Sequence, residues 1–206
     1  MIILGLTGSI GMGKTTIATA LRDMGYPVHD ADQVVHELLE KDRPLIDAVA
    51  EEFGDDIIKD GGVDRARLGA CVFADEARLG RLEKNIHPRV RASVQAFLEG
   101  AANKRAKLAV LDIPLLFETG AEKRCDYTLL VSAPGFIQKR RVRQRPGMTR
   151  EKFAAIRARQ MSEAEKKKRA DVIIQTGLSL SYSLRQLRQA LKMILEKGKR
   201  ESWKNA

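Results

Sequence analysis

The sequence predicts an α/β fold: a parallel sheet with helices on both faces. Three observations carry that expectation. Short apolar runs suited to buried strands recur at 2–6, 108–112, 127–131 and 172–174. Segments with apolar residues at helical spacing separate them. A Gly-rich turn, Gly8-Ser9-Ile10-Gly11-Met12-Gly13-Lys14-Thr15, joins the first strand to the first helix.

Taken in order, Ile2-Ile3-Leu4-Gly5-Leu6 reads as a buried strand. Residues 14–24 read as a helix with Ile17, Ala18, Ala20 and Leu21 on its apolar face, and Gly25 ends it. Tyr26-Pro27-Val28-His29-Asp30-Ala31 reads as a second short strand, and a helix starts from Asp32, with Asp32 as its N-cap. Residues 33–105 read as mostly helical, through Val34, Val35, Leu38 and Leu39, then Leu45, Ile46, Val49 and Phe53. Gly54 and Gly61-Gly62 interrupt them. Asp64 is placed to cap a helix containing Leu68, Cys71, Val72 and Phe73, and Pro88 suits the first turn of a helix reaching about Asn103. Leu108-Ala109-Val110-Leu111-Asp112, Tyr127-Thr128-Leu129-Leu130-Val131 and Val172-Ile173-Ile174 read as buried strands. Residues 180–197 form an amphipathic closing helix through Leu184, Leu187, Leu191 and Ile194; the basic stretch from Met193 to Trp203 is expected to fray.

Residues 33–105 hold too many helices for one crossover. They are expected to form a helical insertion on the sheet's carboxyl edge. The remaining chain divides into a core (1–32, 106–137 and 170–206) and a basic segment, about 138–169.

The chain has 206 residues, 44% of them hydrophobic and 31% charged, enough apolar material for a core. No run approaches the roughly 18 apolar residues of a membrane span. The start of the chain lacks the basic region and cleavage site of a signal peptide, and the cysteines, Cys71 and Cys125, are too few for a disulfide framework. A cytoplasmic protein is expected. The net charge is +10, which first suggests nucleic acid or an acidic small molecule. Its position decides between them. Residues 1–137 carry 17 basic and 21 acidic side chains, residues 138–170 carry 13 and 3, and residues 171–206 carry 7 and 3. One segment holds the equivalent of the whole excess.

The glycine turn is G-x-x-x-x-G-K-T, after a strand and before a helix, which is the setting a phosphate-binding loop requires. Backbone N–H groups of residues 8–16, including Gly8, Gly11, Met12, Gly13, Thr15 and Thr16, converge on phosphate oxygens. Lys14 reaches the β- and γ-phosphates, and the Thr15 hydroxyl suits Mg²⁺. A GTPase would need N-K-x-D, but Asn103-Lys104 continues with Arg105-Ala106. A nucleic-acid motor needs a larger body. A small-molecule kinase fits the size.

Asp32, at the end of the second strand, could take a proton from an acceptor hydroxyl, or could simply cap its helix. Asp112 could partner Mg²⁺, or could be a turn residue. Arg140, Arg141, Arg143 and Arg145 precede Pro146-Gly147, and Thr149 caps a second helix containing Arg157, Arg159 and Gln160. Two helices and a turn make a flap whose arginines could neutralise a triphosphate; most of them, and Lys166-Lys167-Lys168-Arg169 in particular, also fit a solvated face.

Together these pieces resemble the dephospho-CoA kinase family. The residues that carry the resemblance are Leu6-Thr7-Gly8 through Thr15, Asp30-Ala31-Asp32 for the family's D-A-D, His87-Pro88, Pro114-Leu115-Leu116-Phe117-Glu118, Arg141-x3-Arg145, Gln160 and Ala170-Asp171. The resemblance implies a three-layer α/β P-loop kinase fold of the adenylate-kinase type. That fold has a five-stranded parallel core, a helical CoA-binding insertion and a helical lid. It also implies ATP and Mg²⁺, Asp32 as the base, and His87, Pro114, Leu115, Leu116 and Glu118 on the side of the acceptor, dephospho-CoA. Catalytic charge comes from Lys14, Arg141 and Arg145. A monomer or small homo-oligomer without nucleic-acid or membrane partners is expected. The chain departs from the family pattern at Ser9, at Pro146-Gly147 and at Gln175-Thr176-Gly177. A nucleoside or nucleotide kinase, or an ATP-regulated nucleic-acid binder, is the rival reading.

Overall fold

A computed structural model describes residues 1–73 and 75–204; the side chains of residues 73, 76 and 199–204 fall outside that description. The side chain of Phe73 therefore lies outside the described residues, while the stretch from Met193, expected to fray, is helical as far as Lys204. The chain divides into two compact units, one of residues 1–29 and 101–206, the other of residues 30–100.

The first unit is built on a five-stranded sheet in the order β2-β5-β1-β6-β7. Its strands are β1 (Ile2–Thr7), β2 (Val28–Asp30), β5 (Leu108–Asp112), β6 (Tyr127–Ser132) and β7 (Val172–Gln175). β1 pairs in parallel with β5 and with β6, and β6 pairs in parallel with β7. The apolar runs form strands because they are covered on both faces: β5 is buried at every position. Helices α1 (Lys14–Asp23) and α9 (Leu180–Lys204) pack on this sheet. Ile17, Ala18 and Leu21 of α1 join Leu187, Ala190, Leu191 and Ile194 of α9 in a core with Leu4, Leu6, Val110, Leu129, Val131 and Ile174. Burying each of the large aliphatic side chains stabilises the fold by about 1.5–3 kcal/mol. The second strand begins at Val28, not Tyr26. The Tyr26 N–H still bonds back to the Leu21 carbonyl, closing α1, and Pro27 has no N–H to give a ladder.

The second unit holds α2 (Ala31–Lys41), α3 (Arg43–Phe53), α4 (Arg65–Phe73) and most of α5 (Glu76–Asn103). Leu39, Leu45, Ile46, Val49, Ile57, Leu68, Val72, Leu82 and Ile86 form its own core. Asp64 caps α4 as expected, accepting from the Ala66 and Arg67 N–H groups. Between α3 and α4 lies a small antiparallel hairpin, β3 (Ile58–Lys59) and β4 (Gly62–Val63). Its turn residues Asp60 and Gly61 both have positive φ, 51° and 80°, the geometry that an Asp-Gly turn favours.

Three further expectations are corrected. Asp32 is not the N-cap of α2. The helix starts at Ala31, and the Asp30 side chain accepts from the Gln33 N–H at 3.1 Å; Asp32 lies in the first turn. Pro88 does not open a helix but sits inside α5. Burial of Leu82 and Ile86 in one core, with Leu79 and Val90 packed on it, keeps the helix going despite the backbone hydrogen bond that proline forfeits. The basic segment forms three helices, not two: α6 (Gly135–Arg143), α7 (Arg150–Ala158) and α8 (Glu163–Arg169). Thr149 caps α7 and Ser162 caps α8, so the chain breaks at 159–162.

Candidate active site

β1 ends at Thr7, whose hydroxyl donates to the Pro114 carbonyl at 3.0 Å. The loop then turns, with the Met12 N–H on the Ser9 carbonyl, and enters α1 through Gly13. Gly13 has φ 93°, and a Cβ there would lie 3.2 Å from the Thr176 hydroxyl, so this position suits glycine alone. The first-turn N–H groups of α1 have no helical carbonyl to pair with and add the positive end of the helix dipole. Thr15 and Thr16 are exposed on that turn.

The Lys14 ammonium lies 2.6 Å from an Asp112 carboxylate oxygen. The sheet sets this contact: Asp112 ends β5 in register with Leu6 of β1. Asp112 is only 2% exposed and Lys14 16%. A neutralised pair is what burial permits.

On its outer side the loop is clamped by the basic segment. Gln138 donates to the Ile10 carbonyl at 2.9 Å, Gln160 accepts from the Ile10 N–H at 3.3 Å, and the Ser9 hydroxyl donates to Glu163 at 3.2 Å. Arg141 donates to the Thr176 carbonyl at 2.7 Å and to the Thr176 hydroxyl at 3.2 Å. The Thr176 hydroxyl donates to the Met12 carbonyl, and the buried Met12 sulfur accepts from the Ala133 N–H at 3.1 Å. Arg145 is exposed.

After β5, Leu115 is exposed, whereas Leu116 is fully buried. Glu118 accepts from the Met161 N–H at 2.8 Å and lies 2.9 Å from the Lys166 ammonium. Lys166 has no exposed side-chain surface, so it is not part of a solvated face. Asp171 accepts from both the Thr128 N–H and the Thr128 hydroxyl, which ties the start of β7 to β6. Asp32 on α2 and His87 on α5 are both exposed. Sequence reasoning missed the roles of Gln138, Glu163, Thr176 and Lys166 around the loop. Each acts on a residue far away in the chain, which spacing does not reveal.

A glycine loop off the central strand of a parallel sheet, with a lysine beside the next strand's terminal aspartate, defines a P-loop phosphotransferase. The dephospho-CoA kinase family model matches residues 2–181. A dephospho-CoA kinase from Paramagnetospirillum magneticum is 53% identical over 81% of this chain and 78% of its own length. One from Mesorhizobium japonicum is 51% identical over 87% and 90%. Among solved structures, a Thermus thermophilus protein superposes with a TM-score of 0.79 at 39% identity, over 95% of this chain and 97% of that one. Dephospho-CoA kinase from Campylobacter jejuni does so with a TM-score of 0.71 at 25% identity, over 95% and 98%. The chain belongs to the dephospho-CoA kinase family.

Proposed function

We propose that the chain transfers the γ-phosphoryl group of ATP to the ribose 3′-hydroxyl of dephospho-CoA, giving CoA and ADP, the closing step of coenzyme A synthesis. The observation that carries this reading is the Lys14–Asp112 pair at the mouth of the glycine loop, in a chain whose family is the dephospho-CoA kinases.

The loop from Gly8 to Thr16 binds the triphosphate through its backbone N–H groups. Lys14 exchanges its contact with Asp112 for β- and γ-phosphate oxygens. Arg141, held at Thr176, and Arg145, which is exposed, stabilise charge on the transferring group. The hydroxyl of Thr15 and the carboxylate of Asp112 are hard oxygen donors suited to Mg²⁺, which keeps most of its shell as water and phosphate. Held there, the ion would supply charge neutralisation for the phosphoryl transfer. Asp32, exposed in the first turn of α2, accepts the 3′-hydroxyl proton; its place in the Asp30-Ala31-Asp32 run that matches the family's D-A-D supports this. His87, Pro114 and Leu115 are acceptor contacts. Leu116 and Glu118 support the 114–118 segment from within. We place the reaction in the cytoplasm, where free thiols such as Cys71 and Cys125 persist.

The test is ADP release with dephospho-CoA beside AMP, dTMP and uridine. Turnover with dephospho-CoA alone supports the reading; none with it overturns it. Asp32→Asn should keep ATP affinity and lose turnover by about a hundredfold or more. Near-normal turnover in that variant would remove Asp32 from the mechanism.

A further inference from the structure

We propose that Lys166 and Glu118 are positioning residues for the phosphate-binding loop, acting through the turn at 160–163; the proposal rests on reading that loop as the ATP site. Lys166 belongs to a run of four cations, yet it alone is fully buried, 2.9 Å from a Glu118 carboxylate oxygen. The same oxygen accepts the Met161 N–H at 2.8 Å. One carboxylate therefore holds both α8, through Lys166, and the chain just before it. On either side of Met161 stand the groups that grip the loop: Gln160 on the Ile10 N–H and Glu163 on the Ser9 hydroxyl. The chain of contacts runs Lys166, Glu118, the 160–163 turn, Ser9-Ile10. The Ile10 N–H is taken by Gln160, so these contacts act on the conformation of the loop and leave the N–H groups of Lys14, Thr15 and Thr16 to the phosphates. A loop held ready binds triphosphate without the cost of ordering itself.

Burying an ammonium is costly unless it is paired. Glu118 also ends the segment whose start, Pro114, bonds to Thr7 at the head of the loop. The loop is thus held at its entry by residue 114 and on its outer side through residue 118.

The experiment is isothermal titration of the full chain with Mg-ATP and, separately, with CoA. Lys166→Met should weaken Mg-ATP binding about tenfold, the scale on which residues remote from a ligand act on its site. Gln160→Ala keeps the buried pair and removes only the grip on Ile10, so it covers the case in which Lys166→Met fails to fold. It too should weaken Mg-ATP, and it should spare CoA, because Gln160 touches Ile10 and not the 114–118 segment. In the double variant the two losses should not multiply, because both act through one turn. A merely structural Lys166 would lower the melting temperature and leave the Mg-ATP affinity of the folded protein as in wild type; that result, or wild-type affinity in Gln160→Ala, overturns the proposal. Wild-type chain that binds no Mg-ATP would overturn the loop reading and this proposal together. Wild type that binds, with variants equal to it, overturns this proposal alone.

Discussion

Cys125 keeps its proton well into alkaline solution. Burial pushes its thiol up from 9.0 to about 11, and the nearby Asp126 and Glu122 carboxylates add to the rise. The folded chain thus holds a proton that the unfolded chain releases near pH 9. Folding stability from this group is full below pH 9 and is lost as pH climbs toward 11. Cys125→Ala should flatten the fall in urea-denaturation stability between those values; an unchanged slope would show that other groups cause it. Residues also mark where the sequence was readable. The D-A-D run was plain, but which aspartate caps was not, because both lie at a strand–helix junction and the helix starts one residue earlier than its pattern. Lys166 read as solvent-facing because its partner, Glu118, is remote in sequence. Local composition carries no trace of such a pairing.

Among the elements, α5 runs against its own sequence. A proline inside a helix lacks one backbone hydrogen bond and crowds the preceding turn, at about 3 kcal/mol relative to alanine. Pro88 is exposed, so replacing it disturbs no core packing. Pro88→Ala should therefore raise the urea midpoint, by up to about 3 kcal/mol of stability; a drop would mean that the proline fits the helix without strain. Strands β1, β5, β6 and β7, helix α1, the Asp64 cap and the C-terminal end of α5 were legible because apolar period and capping residues act locally. The β3–β4 hairpin was not. Its strands are two residues each, too short for alternation to register, and Asp60-Gly61 was its one signal. The second break in the basic segment rests on Ser162, a cap overlooked inside a run dominated by charge.

At the scale of the whole molecule, the net charge of +10 is concentrated beside the loop that the basic segment clamps. A ligand that binds only the folded state adds stability by mass action, about 2.7 kcal/mol at a hundred times its Kd. Mg-ATP should accordingly raise the melting temperature of the wild-type chain, and Lys14→Ala should abolish most of that rise. An equal rise in both would place the nucleotide away from the loop. The strand order has a further consequence, in the time domain of synthesis. β1 is made before β5 and β6, yet it lies between them, pairing Leu4 with Val110 and Tyr127. Its two ladders cannot both close until Tyr127 has left the ribosome. Residues 30–100, contiguous and with their own core, can collapse while the first strand still waits. The loop after β1 therefore takes shape only once these later strands are made, so a chain cut short before residue 127 carries the glycine motif without the site.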